Sequence, residues 1–253
     1  MTGMTTKFIQ KTIFVTGASS GIGRAVCKEL AFHGAYVILQ GRNSKAIQET
    51  MENMSPEKCL PLVADLSDFH NLPTVVEQAE NWQGSIDGLV YCAGIGGRAR
   101  LRDTSPEFML ERMQINCFAF VELVRQLIKR KKKKIPLRIV VISSFASLGH
   151  DKYYTAYAAS KAALEAAAKT LASELRIHNT AVNIIRPAFV NTPMVIGAAD
   201  PLGDFASRLE ESGHQPLGLI PPEEVAQMAI YLLSSSAAHI TGTVFSINGG
   251  TPC

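Results

Sequence analysis

TGASSGIG, residues 16–23, stands directly between a short apolar run and a segment with the period of a helix. In that segment Ile22, Val26 and Leu30 recur every four residues, and Gly34 follows as a stop signal. A glycine-rich turn between a strand and a helix lets the backbone approach a pyrophosphate, whose charge is met by the helix N-terminus. The stretch therefore predicts the first unit of a dinucleotide-binding sheet. The alternative is an ordinary turn that uses its glycines only for backbone freedom.

Short apolar runs recur along the chain and are separated by segments long enough for helices. They occupy residues 12–15, 35–39, 60–64, 88–92, 138–143, 181–185 and 243–247. Continuous apolar strands that alternate with helices are typical of parallel strands buried on both faces. The predicted fold class is α/β, a doubly wound seven-stranded parallel sheet of Rossmann type with helices on both faces. Because no linker or repeat interrupts the pattern, residues 1–253 are predicted to form a single dinucleotide-binding and catalytic domain.

The composition argues against several classes of protein. A net charge of +3 over 253 residues is too small for the whole surface to bind a polyanion. The five cysteines form no CxxC and no metal-like pairing with the six histidines, so we expect free thiols in a reducing compartment and no metal site. The chain contains no long apolar stretch without charges. These features predict a cytoplasmic protein that binds neither membrane nor nucleic acid.

One cluster of positive charge stands out, the run KRKKKK at residues 129–134. Such a run is compatible with a patch for nucleic acid or for an acidic partner. It also falls at the end of a predicted helix, where cations offset the helix dipole. We favour the solvated helix end.

The ends of the second and third strands bear on the choice of cofactor. Strand two ends in LQGRN (39–43), with Gly41 where an acid that holds the adenosine ribose is expected. Arg42 follows and offers a planar fork of donors suited to a 2′-phosphate, so NADP(H) is favoured over NAD(H). The alternative is that Arg42 is only a solvated loop residue. Asp65 follows strand three, where its carboxylate would accept from the adenine amino group or cap the next helix.

The stretch YYTAYAASK (153–161) contains three tyrosines, and helical spacing distinguishes them. Only Tyr157 has a cation, Lys161, four residues further on, on the same helix face. Lowering a phenol pKa from about 10 to near neutrality takes roughly 4 kcal/mol. One positive charge about 6 Å away supplies on the order of 3 kcal/mol at an effective dielectric constant of 20. The remainder is left to an oxidised nicotinamide nearby. Taken alone, Tyr-x-x-x-Lys is common on surface helices.

Six motifs occur together in one order. TGASSGIG, CAG (92–94), the asparagine of MQIN, VISS, YAASK and RPAFVNT are in the order and at the intervals of the short-chain dehydrogenase/reductase family, which the chain closely resembles from about residue 10 to its C-terminus. Within the family it is similar to the single-domain 3-oxoacyl-[acyl-carrier-protein] reductases. The resemblance implies an oxidoreductase acting on CH–OH and C=O groups with a tetrad of Asn116, Ser144, Tyr157 and Lys161. Ser144, thirteen residues before Tyr157, fits the family spacing better than Ser143.

The resemblance also implies a role for each of these residues. Tyr157 exchanges a proton with the substrate oxygen, and Ser144 holds and polarises that oxygen. Lys161 lowers the tyrosine pKa and holds the nicotinamide ribose, and Asn116 positions a water for proton relay. The candidate cofactor-binding residues are Gly17, Ser19, Ser20, Gly21, Ile22, Gly23, Arg42, Asp65, Leu66, Ala93, Gly94, Tyr157, Lys161, Pro187, Val190 and Thr192.

Two positions depart from the family pattern. Ala188 follows Pro187 where the family often has glycine, which would tighten the nicotinamide pocket. Tyr91 and Cys92 stand where two asparagines are common, which puts a supporting hydrogen bond in doubt.

The substrate is the least determined part of the site. Residues 194–216 fall where the family has its variable substrate lid, and their apolar side chains, Met194, Val195, Ile196, Leu202 and Phe205, fit either a partly apolar ligand or packing against a neighbouring subunit. Three arginines after strand four, Arg98, Arg100 and Arg102, either receive a carboxylate or phosphate or are solvated in their loop.

Three hypotheses of different classes follow for the whole protein. The first is an NADP(H)-dependent enzyme for a small carbonyl or alcohol substrate, with a 3-oxoacyl group on acyl carrier protein or CoA as one option. The second is a catalytically silent dinucleotide-binding regulator, and the third is a polyanion-binding protein. The resemblance further implies a homotetramer or homodimer, with Phe118, Phe120, Ala162, Ala166 and Leu171 on the pairing helices.

Overall fold

The computed structural model describes residues 8–131, 135–149, 151–196 and 213–251. Within them, seven parallel strands form one sheet in the order β3-β2-β1-β4-β5-β6-β7. The strands are β1 (Thr12–Thr16), β2 (Tyr36–Gly41), β3 (Cys59–Val63), β4 (Gly88–Tyr91), β5 (Leu137–Ile142), β6 (Thr180–Pro187) and β7 (Val244–Ile247). The predicted fold class is confirmed, and each predicted strand ends within about two residues of the observed one.

Helices connect the strands. They are α1 (Gly21–Phe32), α2 (Ser44–Met51), α3 (Leu72–Gln83), α4 (Pro106–Met113), α5 (Ala119–Arg130), α6 (Thr155–Leu175), α7 (Pro193–Ile196) and α8 (Pro222–Leu233). A π-helical segment, Gln114–Phe118, joins α4 to α5. Local sequence sets several of these ends: the Ser105 hydroxyl accepts from the Phe108 N–H and Pro106 begins α4. Helix α1 ends at Phe32, and Gly34 follows with φ +85° as expected.

The sheet is buried on both faces, which explains its continuous apolar strands. Phe14 and Val15 are neighbours in β1 and both are fully buried, but they belong to opposite cores. The Val15 core includes apolar side chains of α1 and α8, and the Phe14 core includes those of α3, α5 and α6. Each fully buried large apolar side chain contributes about 1.5–3 kcal/mol. The helices on each face of the sheet therefore both contribute to its stability.

The strand order reverses at β1, and this positions the site. β1 pairs with β2 on one side and with β4 on the other, with Thr16 opposite Tyr91. The connections leave these strands in opposite directions, so a crevice opens beyond their carboxyl ends. Among the described residues no helix combines the length and the hydropathy that crossing a membrane requires.

Candidate active site

A cleft at this crevice collects most of the predicted cofactor-binding residues. Its lining includes Gly17, Ser19, Ser20, Gly21, Ile22, Gly23, Arg42, Asp65, Leu66, Ala93, Gly94 and Thr192. It also includes Cys92 of the CAG motif and Met194 of the expected lid, together with Gln40, Ile95, Ile115 and Pro193, which sequence analysis missed. These four lie next to positions that the sequence analysis named, and this adjacency in the chain was the only available signal.

The glycine-rich turn forms a backbone cradle at the start of α1. Gly17 has φ +64°, and a Cβ there would lie 2.9 Å from the Ala93 nitrogen. A Cβ on Gly23 would overlap the Gly17 carbonyl oxygen. The first turn of α1 contains no acidic residue, and the Ser20 side chain makes no cap hydrogen bond. The turn therefore leaves a concave surface of backbone N–H groups at a helix N-terminus, which fits a pyrophosphate.

Side chains that sequence analysis did not single out hold this turn in place. The Thr16 hydroxyl accepts from the backbone N–H groups of Cys92 and Ala93, each at 3.1 Å. A guanidinium nitrogen of Arg24 donates to the Ser19 carbonyl at 2.7 Å, and the Thr50 hydroxyl donates to the Ala18 carbonyl at 2.9 Å. The turn is thus tied to the end of β4 and to α2.

The adenosine end of the cleft contains Arg42 and Asp65. Arg42 is exposed, and Gly41 has room for a side chain, because a Cβ there would come no closer than 3.4 Å to Ile47 and Ser19. Asp65 Oδ1 accepts from the backbone and the hydroxyl of Ser67. The Ser67 backbone hydrogen bond lowers the pKa of Asp65, with a smaller contribution from Arg42 and against the effect of burial.

Asp65 does not cap the next helix. That alternative is wrong, because α3 begins at Leu72 with Asn71 before it, and the Asp65 carboxylate instead closes a local turn.

A second cavity continues from this cleft and brings together Ser144, Tyr157 and Lys161. Pro187, Val190 and Thr192 line it as well. Tyr157 and Lys161 are one turn apart in α6, as the spacing predicts, and the Lys161 Nζ lies 5.9 Å from the centre of the Tyr157 ring. The structure therefore brings the predicted serine, tyrosine and lysine to one place.

The pKa of Tyr157 reflects its burial and its neighbours. Burial raises the pKa of its phenol to about 12, while contact with the Ser144 hydroxyl lowers it by less. Lys161 Nζ donates to the Ile142 carbonyl at 2.9 Å. Desolvation of the phenolate is thus the largest influence on this pKa in the structure. The lowering expected from Lys161 together with an oxidised nicotinamide stays a prediction. Burial also lowers the pKa of Lys161 to about 8, although Cys92 and Glu165 act in the opposite direction.

Asn116 lies in the π-helical segment and is fully buried. Its Nδ2 donates to the Ile95 carbonyl and to the Ser160 hydroxyl, and its Oδ1 accepts from the Ile95 N–H at 2.8 Å. The side chain thus joins the loop after β4 to α6. The predicted water-positioning role of Asn116 stays a prediction.

Tyr91, which stands where the family commonly has an asparagine, contacts the π-helical segment that contains Asn116. Its hydroxyl donates to the carbonyl of Ile115, next to Asn116, and its ring meets Phe120 edge to face. Burial raises the pKa of Tyr91 well above its usual range. Tyr91 therefore provides a hydrogen bond of its own to the segment that contains Asn116.

A buried hydrogen-bond and ion-pair network around Glu165 holds the residues on both sides of Ser144. The Glu165 carboxylate accepts from the hydroxyls of Ser143 and Ser147 and forms a bidentate pair with Arg186. Burial alone would raise the pKa of Glu165, but these hydrogen bonds outweigh it and the pKa is lowered. Both serines line the cavity, but the Ser143 hydroxyl donates to Glu165, whereas the Ser144 hydroxyl contacts Tyr157. The partners are too far apart in sequence for any local pattern to indicate them.

Only one of the three loop arginines lines the cavity. Arg98 does so, and its guanidinium lies 5.6 and 5.3 Å from the ring centres of Tyr153 and Tyr154. Arg100 is exposed, and Arg102 is exposed beside Asp103. A further arginine, Arg112, lines the same cavity and was not predicted.

The predicted lid is described only at its ends. Met194 and Val195 line the cavity, and Ile196 is exposed. Leu202 and Phe205 lie outside the described residues. In the lysine run, Lys129 and Arg130 form the last turn of α5 and Lys131 donates to the His178 carbonyl, as the helix-end interpretation predicts. Residues 132–134 lie outside the described part. The structure groups no three metal-binding side chains in the residues that it describes.

The fold and the cavity define a class, the Rossmann-type oxidoreductases with a serine, tyrosine and lysine at the carboxyl edge of the sheet. A family model described as enoyl-(acyl carrier protein) reductase matches residues 17–252. The chain belongs to the short-chain dehydrogenase/reductase family, and it is an oxidoreductase that acts on CH–OH and C=O groups.

Individual relatives match along nearly the whole chain. Oxidoreductase UcpA of Salmonella typhimurium is 33% identical over 256 residues, covering 97% of this chain and 95% of its own. The 3-oxoacyl-[acyl-carrier-protein] reductase FabG of Thermotoga maritima is 33% identical over 245 residues, covering 95% and 97%. A solved dehydrogenase/reductase from Sinorhizobium meliloti superposes with a TM-score of 0.88 at 29% identity, covering 99% and 98%. The predicted resemblance is confirmed.

Proposed function

We propose that the protein is an NADP(H)-dependent carbonyl reductase or alcohol dehydrogenase, a single catalytic domain whose proton donor and acceptor is Tyr157. The observation that carries this proposal is the meeting of Ser144, Tyr157 and Lys161 where the glycine-lined cleft continues into the second cavity. When bound, the nicotinamide supplies or accepts the hydride. The tight turn at Gly17 and Gly23 supports a dinucleotide there, because a Cβ at Gly23 would collide with the Gly17 carbonyl oxygen and force the turn out of this shape.

The residues of the cavity divide the remaining work. Ser144 binds the substrate oxygen and holds it beside Tyr157. Because burial raises the pKa of Tyr157 to about 12, the phenol carries its proton at neutral pH and donates it in the reductive direction. With a pKa of about 8, Lys161 is positively charged at neutral pH and stabilises negative charge on the phenolic oxygen. Pro187, Val190 and Thr192 form the wall against the nicotinamide.

Replacing Tyr157 tests the catalytic proposal. Tyr157→Phe should reduce turnover by two decades or more, because the proton donor is lost, while cofactor binding stays within a few-fold. The assay is NADPH oxidation with a panel of ketones that includes a 3-oxoacyl thioester, and cofactor binding is titrated separately.

Tyr154→Phe is the matched control, since Tyr154 is the neighbouring ring, 5.9 Å from Tyr157 between centres. Near-normal rates in Tyr157→Phe with loss in Tyr154→Phe would overturn the assignment. Nucleotide binding without turnover of any carbonyl would instead support a silent regulator.

The proposed preference for NADP(H) rests on Arg42 beside Gly41 at the adenosine end of the cleft. Arg42→Ala should weaken NADPH by about ten- to a hundred-fold and leave NADH nearly unchanged, because a charge-assisted hydrogen bond is lost. Gly41→Asp should act in favour of NADH, since the site has room for a side chain. Titration of both cofactors decides it, with the exposed Arg102→Ala as control. A wild type that prefers NADH would refute the assignment.

We also propose that the protein pairs through α5 and α6 into a homodimer or homotetramer. Phe118 and Val121 remain 42% and 37% exposed, and Ala162 and Ala166 are exposed one turn apart. Of the other residues predicted for this face, Phe120 is a core residue and Leu171 is partly buried, so they do not contribute an exposed surface. Val121→Glu should dissociate the assembly in sedimentation experiments, and a wild-type monomer at micromolar concentration would contradict it.

Two further proposals concern the surroundings of the protein. An acyl carrier protein is a candidate partner, because relatives are named 3-oxoacyl-[acyl-carrier-protein] reductases. The cytoplasm is the proposed compartment, because the four described cysteines are all free thiols.

A further inference from the structure

The cavity beyond Tyr157 contains more positive charge than the proposed hydride transfer uses. Its volume is about 470 Å³, in the range of small-molecule sites. The charged and titratable side chains that line it, apart from the tyrosines and Cys92, are Arg98, Arg112, Lys161, Asp151 and His214. Lys161 belongs to the reaction centre, and Asp151 and His214 are exposed. The proposed hydride transfer therefore assigns no role to the guanidinium groups of Arg98 and Arg112 on this wall.

Arg112 is the more unusual of the two, because it is only 8% exposed. It lies in α4, one turn before Asn116, and its guanidinium is stacked over the Phe108 ring at 3.2 Å from the ring centre. Its Nη1 donates to the Phe108 carbonyl and to the carboxylate of Glu111, a side chain that is 64% exposed. Its buried Nε has no hydrogen-bond partner among the residues that the structure describes. The pair with the exposed Glu111 leaves part of the donor face of this buried cation unsatisfied, so an anion in the cavity would stabilise it further.

The neighbouring loop is shaped around this guanidinium. Gly97 has φ +121°, a conformation that other residues rarely adopt, and a Cβ there would lie 2.5 Å from Arg112 Nη2. Glycine at 97 therefore leaves the space in which the guanidinium reaches the cavity wall.

Arg98 follows directly and is positioned by two aromatic rings, Tyr153 and Tyr154. The loop is held there by the Ala99 N–H, which donates to the Tyr153 carbonyl at 2.9 Å. Tyr154 also connects this wall to the reaction centre, because its ring lies 5.3 Å from the Arg98 guanidinium and 5.9 Å from the Tyr157 ring. Because Arg98, Arg112 and Tyr157 all line this one cavity, a substrate that occupies it has both arginines and Tyr157 on its walls.

We propose that Arg112 and Arg98 form a carboxylate-binding subsite, so that the substrate is a short oxo acid or the corresponding hydroxy acid. The planar donor forks match a carboxylate, while Ser144 and Tyr157 take the carbonyl oxygen. This inference rests on the proposed function, since it names the class of substrate for the same cavity. It also assigns α4, which provides Arg112, to substrate selection.

Matched pairs of acid and neutral ester test the subsite. Wild type is assayed with 3-oxobutanoate, 4-oxopentanoate and 5-oxohexanoate and with their methyl esters. At the length that fits, the acid should exceed its ester in kcat/KM by about ten- to a hundred-fold, chiefly through KM. A preference for every ester over its acid, or for dihydroxyacetone phosphate over every acid, would overturn the carboxylate assignment.

Substitution then locates the preference. Arg112→Met should bring the ratio of acid to ester close to one by raising KM for the acid, and Arg98→Met should lower it less. Arg112→Lys, which keeps the charge without the fork, should fall between wild type and Arg112→Met. Arg102→Ala, an exposed arginine in the same loop, should leave the ratio unchanged. Equal loss for acid and ester in Arg112→Met and Arg112→Lys would mean that Arg112 only supports the fold, and would overturn the proposal.

Direct binding separates this proposal from the proposed function. Butanoate, which has no carbonyl to reduce, is titrated into wild type and Arg112→Met by calorimetry. Binding to wild type that weakens tenfold or more in Arg112→Met supports the subsite even if no carbonyl compound is turned over, in which case only the proposed function fails. No binding of butanoate together with equal rates for acids and esters would overturn the subsite and leave the proposed function standing.

Discussion

Replacing Glu165 by glutamine should weaken both the fold and the reaction centre. The Glu165 side chain is 6% exposed and its partner Arg186 is 16% exposed. Glutamine keeps the size of the side chain and an oxygen that accepts from Ser143 and Ser147, but it removes the negative charge that faces the guanidinium. The Arg186 charge is then left in the interior beside a neutral amide.

The expected magnitude follows from this burial. Breaking a buried ion pair by removing one partner costs about 3–5 kcal/mol. Because Arg186 retains some contact with water, we expect the lower end, about 3 kcal/mol. For a domain of this size each kcal/mol shifts Tm by about 2–4 °C, so Tm should fall by about 6–12 °C. Turnover should fall as well, because Ser144 lies between the two serines that lose a charged acceptor.

Thermal unfolding monitored by circular dichroism measures this effect. Glu77→Gln is the matched control, because Glu77 pairs with Arg130 at 3.7 Å in a pair whose side chains are 55% and 35% exposed. It should cost no more than about 1 kcal/mol. A Tm for Glu165→Gln within 2 °C of wild type at neutral pH would refute this account of the network.

The pH dependence of Tm tests the contribution of the Glu165–Arg186 pair in a second way. Because the folded state lowers the pKa of Glu165 from 4.5, the contribution of the pair is fully present above that pH and is lost as the pH falls through the folded value. The Tm difference between wild type and Glu165→Gln should therefore shrink in acid. A difference that grows in acid would contradict it.

Three further outcomes are expected. Since the pKa of Lys161 is lowered to about 8, wild-type kcat/KM for reduction should fall as the pH rises through that value. In Lys161→Arg this fall should move to higher pH, because a guanidinium stays charged. If the fall stays near pH 8 in the variant, another group causes it. Gly23→Ala should weaken cofactor binding, measured by titration, and the free energy of unfolding, measured by thermal unfolding, by about 1–3 kcal/mol. Gly41→Ala should change the free energy of unfolding little, and equal effects of the two variants would contradict the geometry of the turn. Tyr91→Phe should cost about 1–3 kcal/mol in denaturant unfolding, because the Ile115 carbonyl loses its donor, and an unchanged midpoint would contradict this.

The sequence by itself determined the strands, the glycine-rich turn and the facing of Tyr157 and Lys161. Each depends on local geometry: continuous apolar runs for strands buried on both faces, glycine where a Cβ would collide, and a spacing of four residues on a helix. Because the strands are parallel, Ser144 after β5 and the glycine-rich turn after β1 lie at the same edge of the sheet. This placement does not depend on the sequence between them.

Tertiary structure alone decided how these residues are held and charged. Contacts between distant parts of the chain give Thr16 and Glu165 their hydrogen-bond partners and place Gly97 beside Arg112. No pattern of neighbouring residues in the sequence predicts such contacts. The burial of Tyr157 was likewise decided by the tertiary structure, because spacing along a helix does not measure how far a phenol is removed from water, and this burial raises its pKa.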